Sequence, residues 1–344
     1  MHHYDLQNLR SWVARIFEAV NVPPDHAAEA AAILVRCDVR GYRTHGLTRV
    51  ASYVERLRAG DFNARPNLVH QGRPGGIVLD ADGAMGQVAL PHAVQLGQQA
   101  LDAGAASVFV AIRSCGHLGA LGLYALMAAE SGVFCMLAQR TPPLLALPGF
   151  DHAAIGHNPI AFGCPASAAD PIVFDVACSV AARGHILLAE REGREIPDGW
   201  ALDETGMPTR DAKRALKGAL LPMGGYKGIG IAMMVECLAG ALTADAGSFD
   251  GDRNTIREGG AVGRQGAFLW MVNPHAFAAP EDFARYMAQW TGDYLSAGGA
   301  QAHIPGARGA ELERLAATAG LELSASVESE LQRLGGQFGL PFSA

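Results

Sequence analysis

Charge is scarce in this chain, and the little it has leans acidic. Charged residues are 18% of its 344 positions, and the formal net charge is −7. A nucleic-acid binder needs a surplus of Lys and Arg on one face, so nucleic acid is excluded as an expected partner. Cysteine is sparse as well. The six residues Cys37, Cys115, Cys135, Cys164, Cys178 and Cys237 include no Cys-x-x-Cys pair, which argues against a zinc knuckle or a thioredoxin-type site. Most lie in apolar runs, where a free thiol behaves as a small hydrophobe, and a reducing cytoplasm suits them. No apolar run free of Gly, Pro and charge is long enough to cross a bilayer, so no membrane partner is expected. The opening Met1-His-His-Tyr-Asp-Leu6 lacks the basic-then-apolar order of a secretion signal.

What the chain does have is apolar residues, at 49%, enough for one large or two modest well-buried domains. Residues 5–60 read as three helices, with Asn21-Val-Pro-Pro24 separating the first two. The second runs from about Asp25 to Arg40 and is capped by Gly41; the third starts at Thr44 as N-cap and stops at Gly60. Residues 61–75, rich in Gly, Pro and Asn, read as a linker. From Gly76 the pattern alternates: strand Ile77–Leu79, helix Leu90–Ala103, strand Ser107–Ile112, helix Leu121–Glu130, strand Val133–Ala138. That order predicts an α/β domain.

Helical spacing from Thr44 puts His45, Arg49 and Tyr53 at i, i+4 and i+8, on one face. A guanidinium grips a carboxylate in two parallel hydrogen bonds, and an imidazole moves a proton near neutral pH. Together they suit a 2-oxo or 2-hydroxy acid, with Arg49 on the carboxylate and His45 on the neighbouring oxygen. Arg113-Ser-Cys-Gly-His117-Leu-Gly119-Ala-Leu-Gly122 follows a strand and opens a helix. Its glycines and helix-start N–H groups suit phosphate, while a tight turn with an incidental His is the plainer account. Pro222-Met-Gly-Gly-Tyr-Lys227-Gly228 opens a long apolar helix to about Thr243 and carries the same two readings. Residues 190–220 are charged and read as a solvated connection; Phe249–Gly266 is polar and Gly-rich and reads as a loop. A strand Ala267–Val272, a helix Pro280–Leu295 and two short helices, about Gly309–Thr318 and Ser326–Leu334, complete the chain.

No Gly-x-Gly-x-x-Gly follows the first strand, where the turn is Asp80-Ala-Asp-Gly-Ala-Met-Gly86, so an ordinary dinucleotide fold is not expected. Asp38-Val-Arg40-Gly-x-x-Thr44-His45-Gly-x-x-Arg49 nevertheless resembles the D-x-R-G-x-x-S-H-G-x-x-R signature of the type 2 malate/L-lactate/sulfolactate dehydrogenases. That family includes ureidoglycolate dehydrogenase, diketogulonate reductase and piperideine/pyrroline-2-carboxylate reductase. The resemblance continues in Gly156-His157-Asn158-Pro159, in Asp175-Val176-Ala177-Cys178-Ser179, in Pro222–Gly228 and in His303-Ile-Pro305-Gly306-Ala-Arg308.

The resemblance implies a non-Rossmann NAD(P)-binding α/β domain over 76–299. It also implies a separate helical domain formed by the N- and C-terminal segments, 1–75 plus 300–344. It implies NADH- or NADPH-dependent hydride transfer at C2 of a small 2-oxo or 2-hydroxy carboxylic acid, with a cyclic imino acid as the alternative and a catalytically silent binding protein as a minor one. A homodimer is implied too. His45 would move the proton, oriented by Thr44, with Arg49, Tyr53 and His157 on the substrate. His117 would be a second acid/base or a cofactor neighbour. Leu118, Gly119, Ala120, Leu121, Asp175, Val176, Ala177, Lys227, Gly228, His303, Pro305, Gly306 and Arg308 would meet the cofactor. The chain departs from the pattern at His157 (usually Thr), His185 (usually Lys or an acid), His303 (usually Arg) and Ala307 (usually Glu). His185 could relay a proton to His45 or merely end a helix turn. A metal-dependent hydrolase on His45, His117, His157 and His185 is the rival from another class. It lacks His-x-His and His-Glu-x-x-His spacing, and no metal is expected.

Overall fold

The structure, a computed structural model, describes residues 3–166, 170–243 and 265–342. In chain order the elements are β1 (His3–Tyr4), α1 (Leu6–Glu18), α2 (Pro24–Val39), α3 (Val50–Ala59), β2 (Val69–Arg73), β3 (Gly76–Asp80), α4 (Gly86–Asp102), β4 (Ser107–Cys115), α5 (Leu121–Glu130) and β5 (Phe134–Gln139). There follow β6 (Pro143–Leu145), β7 (Ile155–Gly156), β8 (Ile160–Cys164), β9 (Ile172–Val176), α6 (Arg183–Arg191), β10 (Ala201–Leu202), β11 (Pro208–Thr209), α7 (Ala212–Ala215), β12 (Ala219–Leu220) and α8 (Tyr226–Val235). The chain closes with β13 (Gln265–Val272), α9 (Pro280–Gly298), α10 (Ala307–Ala319), β14 (Leu321–Glu322) and α11 (Ala325–Phe338).

The helix boundaries follow local chemistry. The Asp5 carboxylate caps α1 by accepting from Asn8 N–H, Pro24 opens α2, and Gly41 and Gly60 end α2 and α3 in the left-handed region with φ of 87° and 78°. The seven-stranded sheet has the order β2-β3-β4-β13-β5-β8-β9. β3 and β4 are parallel neighbours, as alternation predicts. β5 is not beside β4: β13, from more than a hundred residues later, pairs antiparallel with both. Its Ala-Phe-Leu-Trp-Met-Val run is apolar on both faces, and a strand flanked on both sides and covered by helices is where such a run is buried.

Two stretches read as irregular are folded. Residues 69–73, inside the expected linker, form β2, which is exposed along its length. An edge strand wet on both faces shows no alternation to read. Residues 190–220 supply β10, β11, α7 and β12, part of a five-stranded sheet β11-β10-β12-β6-β7. Its core gathers Leu145, Ile186, Ile196, Ala201 and Leu220. Two-residue strands are too short for any periodicity. Beyond Val235, α8 continues as a π-helical turn, Glu236–Ala241. Most of the Phe249–Gly266 stretch lies outside the described residues.

The two chain ends meet. β1 pairs with β14, Tyr4 stacks on Phe342 with ring centroids 5.0 Å apart, and Trp12 Nε1 donates to Leu340 O at 3.1 Å. Their apolar side chains join those of α4, α5 and the central strands in one cluster, from Leu9 and Leu34 through Leu90 and Leu121 to Val110 and Leu269.

Candidate active site

The turn between α2 and α3 carries the proton-transfer candidates. The helix expected from Thr44 begins later: a 3₁₀ turn covers Leu47–Arg49 and α3 starts at Val50. Thr44 therefore caps no helix. The capping bond comes from outside, where the Asp38 carboxylate on α2 accepts from Leu47 N–H. The Thr44 hydroxyl instead meets His45 Nδ1 at 2.9 Å. That leaves Nε2 of His45 without a hydrogen bond among the described residues.

The shared face expected for His45, Arg49 and Tyr53 does not form, because His45 precedes the helix. Tyr53 is buried, at 2% exposed. Its hydroxyl lies 2.8 Å from His117 Nδ1. Gln87 Nε2 donates to that hydroxyl at 3.3 Å and to Leu118 O at 3.0 Å. The Tyr53 hydroxyl and His117 Nδ1 therefore share one hydrogen bond, whose direction follows the tautomer of the ring. Tyr53 thus orients a histidine where a substrate contact was expected.

His45 stacks on His117 with ring centroids 5.8 Å apart and planes at 25°. Arg49 Nε donates to Thr44 O at 2.7 Å. No carboxylate pairs with this guanidinium among the described residues, so its remaining N–H groups are left for an anion. Burial pushes the His45 imidazole down to about 4, assisted by Arg49 and then His157. Burial lowers His157 to about 4, and it holds His117 well below its ordinary value with help from His45 and Arg49. All three rings are therefore neutral at pH 7, and His157 adds to the lowering of both His45 and His117.

His157 comes from a second direction. Its Nδ1 lies 3.0 Å from Thr141 Oγ1. The next residue, Asn158, has φ 32°. It is held there by Thr141 N–H on its Oδ1 at 2.8 Å, by its own Nδ2 on Ala232 O at 2.9 Å and by Glu236 Oε2 at 3.3 Å. Glu236, in the π-helical turn, also pairs with Arg140. A backbone outlier held by this many bonds is the kind found at functional sites. Gln87, Thr141 and Glu236 escaped the sequence reading, since single polar residues in apolar stretches carry no spacing signal, while Asn158 was read only as part of the Gly156–Pro159 motif. His185 does not join the group. It is exposed on α6, its ring 6.1 Å from Trp200, and no hydrogen bond or ring contact links it to His45. Among the described residues no three His, Cys, Asp or Glu side chains could hold a metal ion.

The expected cofactor residues divide. Leu118, Gly119, Ala120 and Leu121 are buried. Their turn is already satisfied: Leu118 N–H goes to Gln139 Oε1 at 3.0 Å, and Gly122 N–H goes to Asp175 Oδ2 at 2.8 Å. A built-in carboxylate occupies the α5 N-terminus, where a phosphate was expected. Burial pushes the Asp175 carboxyl up to about 6, against the pull of the Gly122 and Leu121 N–H groups. Val176 and Ala177 are partly exposed, and their segment is knit to the α8 entry: Met223 N–H donates to Cys178 O at 2.8 Å and Gly228 N–H to Met223 O at 2.9 Å. Lys227 is exposed on the first turn of α8, and the buried Ser179 hydroxyl has no hydrogen-bond partner among the described residues. His303, Pro305 and Arg308 lie exposed on a turn fastened by Val173 N–H to Pro305 O at 2.9 Å, with Gly306 at φ 96°.

Gly228 is the most tightly packed of the glycines expected at the cofactor. A Cβ there would lie 2.5 Å from Met223 O and 2.9 Å from Cys178 O. Gly228→Ala is expected to destabilise the protein by about 1–3 kcal/mol through overpacking and to weaken cofactor binding as the entry loop shifts. Thermal unfolding and NADH fluorescence titration measure both; unchanged values in the two assays would refute the loop's tightness.

A neutral imidazole beside an unpaired guanidinium, with a second imidazole aligned against it, is the equipment of an oxidoreductase for small carboxylates. The sequence profile described as malate/L-lactate dehydrogenase matches residues 4–332. The chain is similar to a malate dehydrogenase of Pyrococcus abyssi, 33% identical over 82% of this chain and 78% of that protein. It is similar to a Δ1-pyrroline-2-carboxylate/Δ1-piperideine-2-carboxylate reductase of Pseudomonas aeruginosa, 37% identical over 70% and 72%. The crystal structure of a Δ1-piperideine-2-carboxylate reductase from Pseudomonas syringae superposes with a TM-score of 0.88 at 30% identity, over 97% of this chain and all of that one. The chain belongs to the malate/L-lactate dehydrogenase family. It is an oxidoreductase of the nicotinamide-dependent class, with a mixed α/β fold.

Proposed function

We propose that the protein interconverts a small 2-hydroxy carboxylic acid of the malate or lactate kind and its 2-oxo counterpart. The observation that carries this reading is the unpaired Arg49 guanidinium next to the neutral His45 imidazole. Arg49 binds the substrate carboxylate through the N–H groups that Thr44 leaves free. His45, aligned by Thr44, takes the hydroxyl proton in oxidation and returns it in reduction. His117, stacked on His45 and bonded through Nδ1 to Tyr53, turns its Nε2 to the same chemistry as a second proton-transfer group. His157 offers its Nε2 from the opposite segment, so it contacts a substituent beyond C2. The nicotinamide, when bound, supplies or accepts the hydride.

The chain's own residues fit such a cofactor: an orphaned Ser179 hydroxyl, the glycine entry to α8 and the exposed Lys227 form a cradle with an anion-seeking cation. Val176, Ala177, Lys227 and Gly228 would hold one part and the 303–308 turn, with Arg308, another. The choice between NADH and NADPH is part of the test. A second reading, reduction of a cyclic imino acid, is favoured by the similarity to the two reductases. Its substrate uses the same carboxylate clamp, with nitrogen receiving the proton.

Consumption of NADH and of NADPH against pyruvate, oxaloacetate, 2-oxo-sugar acids and the two cyclic imines decides among these. Turnover of an open-chain oxo acid supports the first reading. Turnover of the imines alone supports the second, and binding of cofactor without any turnover would leave a silent binding protein.

The same reading includes a helical unit from both chain ends beside the 76–299 α/β unit, a non-Rossmann mode of dinucleotide binding and a homodimer. Exposed Tyr286, Trp290, Tyr294 and Leu295 on α9 give a second copy apolar surface to cover. Six free cysteines suit a reducing cytoplasm.

A further inference from the structure

The C-terminal end of α2 holds two buried charged groups that the chemistry above leaves unused. Asp38 is 6% exposed and Arg40 is 7% exposed. They reach different turns. Asp38 accepts the N–H of Leu47 in the turn that carries His45 and Arg49. Arg40 Nη1 binds Glu313 at 2.6 Å, and its Nη2 donates to Gly306 O at 3.2 Å in the turn 303–308.

Glycines pack against both side chains, Gly46 of the first turn against Asp38 and Gly309 in the first turn of α10 against Arg40. A Cβ on Gly46 would lie 2.6 Å from Asp38 Cγ, and one on Gly309 would lie 3.2 Å from Arg40 Nη2. The approach is closer at Asp38 than at Arg40, but on both side chains, two residues apart, it leaves little room for a Cβ. Ion pairing does not account for it. Arg36 already binds Glu313 at 2.7 Å and Glu130 at 2.5 Å, so the Arg40 bond to a backbone carbonyl adds a contact of another kind. The Glu313 carboxyl is pushed up by burial, but the hydrogen bonds from Arg36 and Arg40 outweigh this and hold it low, so the cluster stays charged around Gly306. Arg43, on the turn itself, is a cation that favours the charged Asp38 carboxylate against its burial.

We propose that the end of α2 is a splint registering the proton-transfer turn against the 303–308 turn, with Asp38 and Arg40 as its two positioning residues. This rests on the reading of the site given above. Neither residue touches a reactant; each fixes the backbone of a turn that does. Because the two turns hang on one helix end, the distance between the proton carrier and the cofactor's turn is set by two residues of a single rigid element.

The two arms separate in kinetics. Asp38→Asn keeps size and removes charge from the Leu47 bond, and is expected to lower kcat about tenfold or more, with the NADH Kd unchanged. Arg40→Lys keeps the charge toward Glu313 and removes the bond to Gly306. It is expected to raise the NADH Kd and KM about tenfold, with kcat within about twofold. A purely structural role would instead lower Tm and leave both constants alone, or damage both constants in both variants; either result overturns the splint. NADH Kd is measured by fluorescence without substrate, and the His45 ring is titrated by proton NMR in wild type and Asp38→Asn. If no oxo acid or imine is turned over, the functional reading fails, while an unchanged His45 titration and an unchanged Kd would separately refute the splint. Should Asp38→Asn not fold, Asp38→Glu keeps the acceptor one methylene out of place and is read in the same way.

Discussion

Replacing His45 by Ala lowers kcat for the preferred 2-hydroxy acid by about 100- to 10,000-fold, the usual range for removing a positioned general acid or base. The NADH Kd stays unchanged, because the expected cofactor contacts on Val176, Ala177, Lys227 and Arg308 lie on other segments. The pH profile is as informative as the size of the loss. Burial and Arg49 hold the His45 imidazole near 4, so at neutral pH it is already the base that oxidation requires. kcat/KM for oxidation reports the free enzyme. It should hold as pH falls through 6.5, the ordinary imidazole value, and decline only towards about 4. kcat/KM for reduction, which needs the protonated ring, should rise over the same interval. An acid limb centred near 6.5 would show that His45 is not the group that titrates. Full activity in His45→Ala would remove it from the chemistry.

Arg49→Met should cut kcat/KM by about 30-fold to several thousandfold, the equivalent of the ~2–5 kcal/mol that follows from truncating one side of a hydrogen-bonded charge pair. Most of the loss should fall on KM for the carboxylate. The guanidinium is tethered by its Nε to Thr44 O at 2.7 Å, which leaves the two terminal nitrogens to grip both carboxylate oxygens. Arg49→Lys should therefore recover only a small part of the loss: an ammonium is a point charge that cannot hold the tether and the fork together. Added guanidinium should partly restore Arg49→Met. A substrate amide in place of the carboxylate should be as poor a substrate for wild type as the acid is for Arg49→Met. If KM is unmoved in both variants, the carboxylate is held elsewhere, and the unpaired Arg49 needs another explanation.

These expectations also show which parts of the site could be read from one dimension. His45 and Arg49 were legible because they lie in a single turn, and the resemblance to a known signature covers that turn. Tyr53 looked equivalent to them only while the turn was taken for a helix. With α3 starting at Val50, the same residue is buried and serves His117. Asp175 was expected at the cofactor, but its carboxylate lies on the N–H of Gly122. That contact joins residues 53 positions apart and has no local signal. His185 follows a strand as neatly as His117 does, yet only His117 lies against His45.

Sequence alone determined the elements whose cause is local: the caps at Gly41 and Gly60, the apolar strands, the placing of His45 and Arg49 in one turn, and the absence of a glycine fingerprint after the first strand. Tertiary structure decided what depends on partners far along the chain. It placed β13 between β4 and β5, made a sheet of the short strands in 190–220, and set Thr141 against His157 and Glu236 against Asn158. It also gave the capping bond at Leu47 to Asp38 instead of Thr44. The physical reason is range. A turn or a helix cap is settled by hydrogen bonds within about four residues, whereas a buried strand, a neutralised imidazole or an orphaned hydroxyl takes its energy from whatever the fold packs beside it.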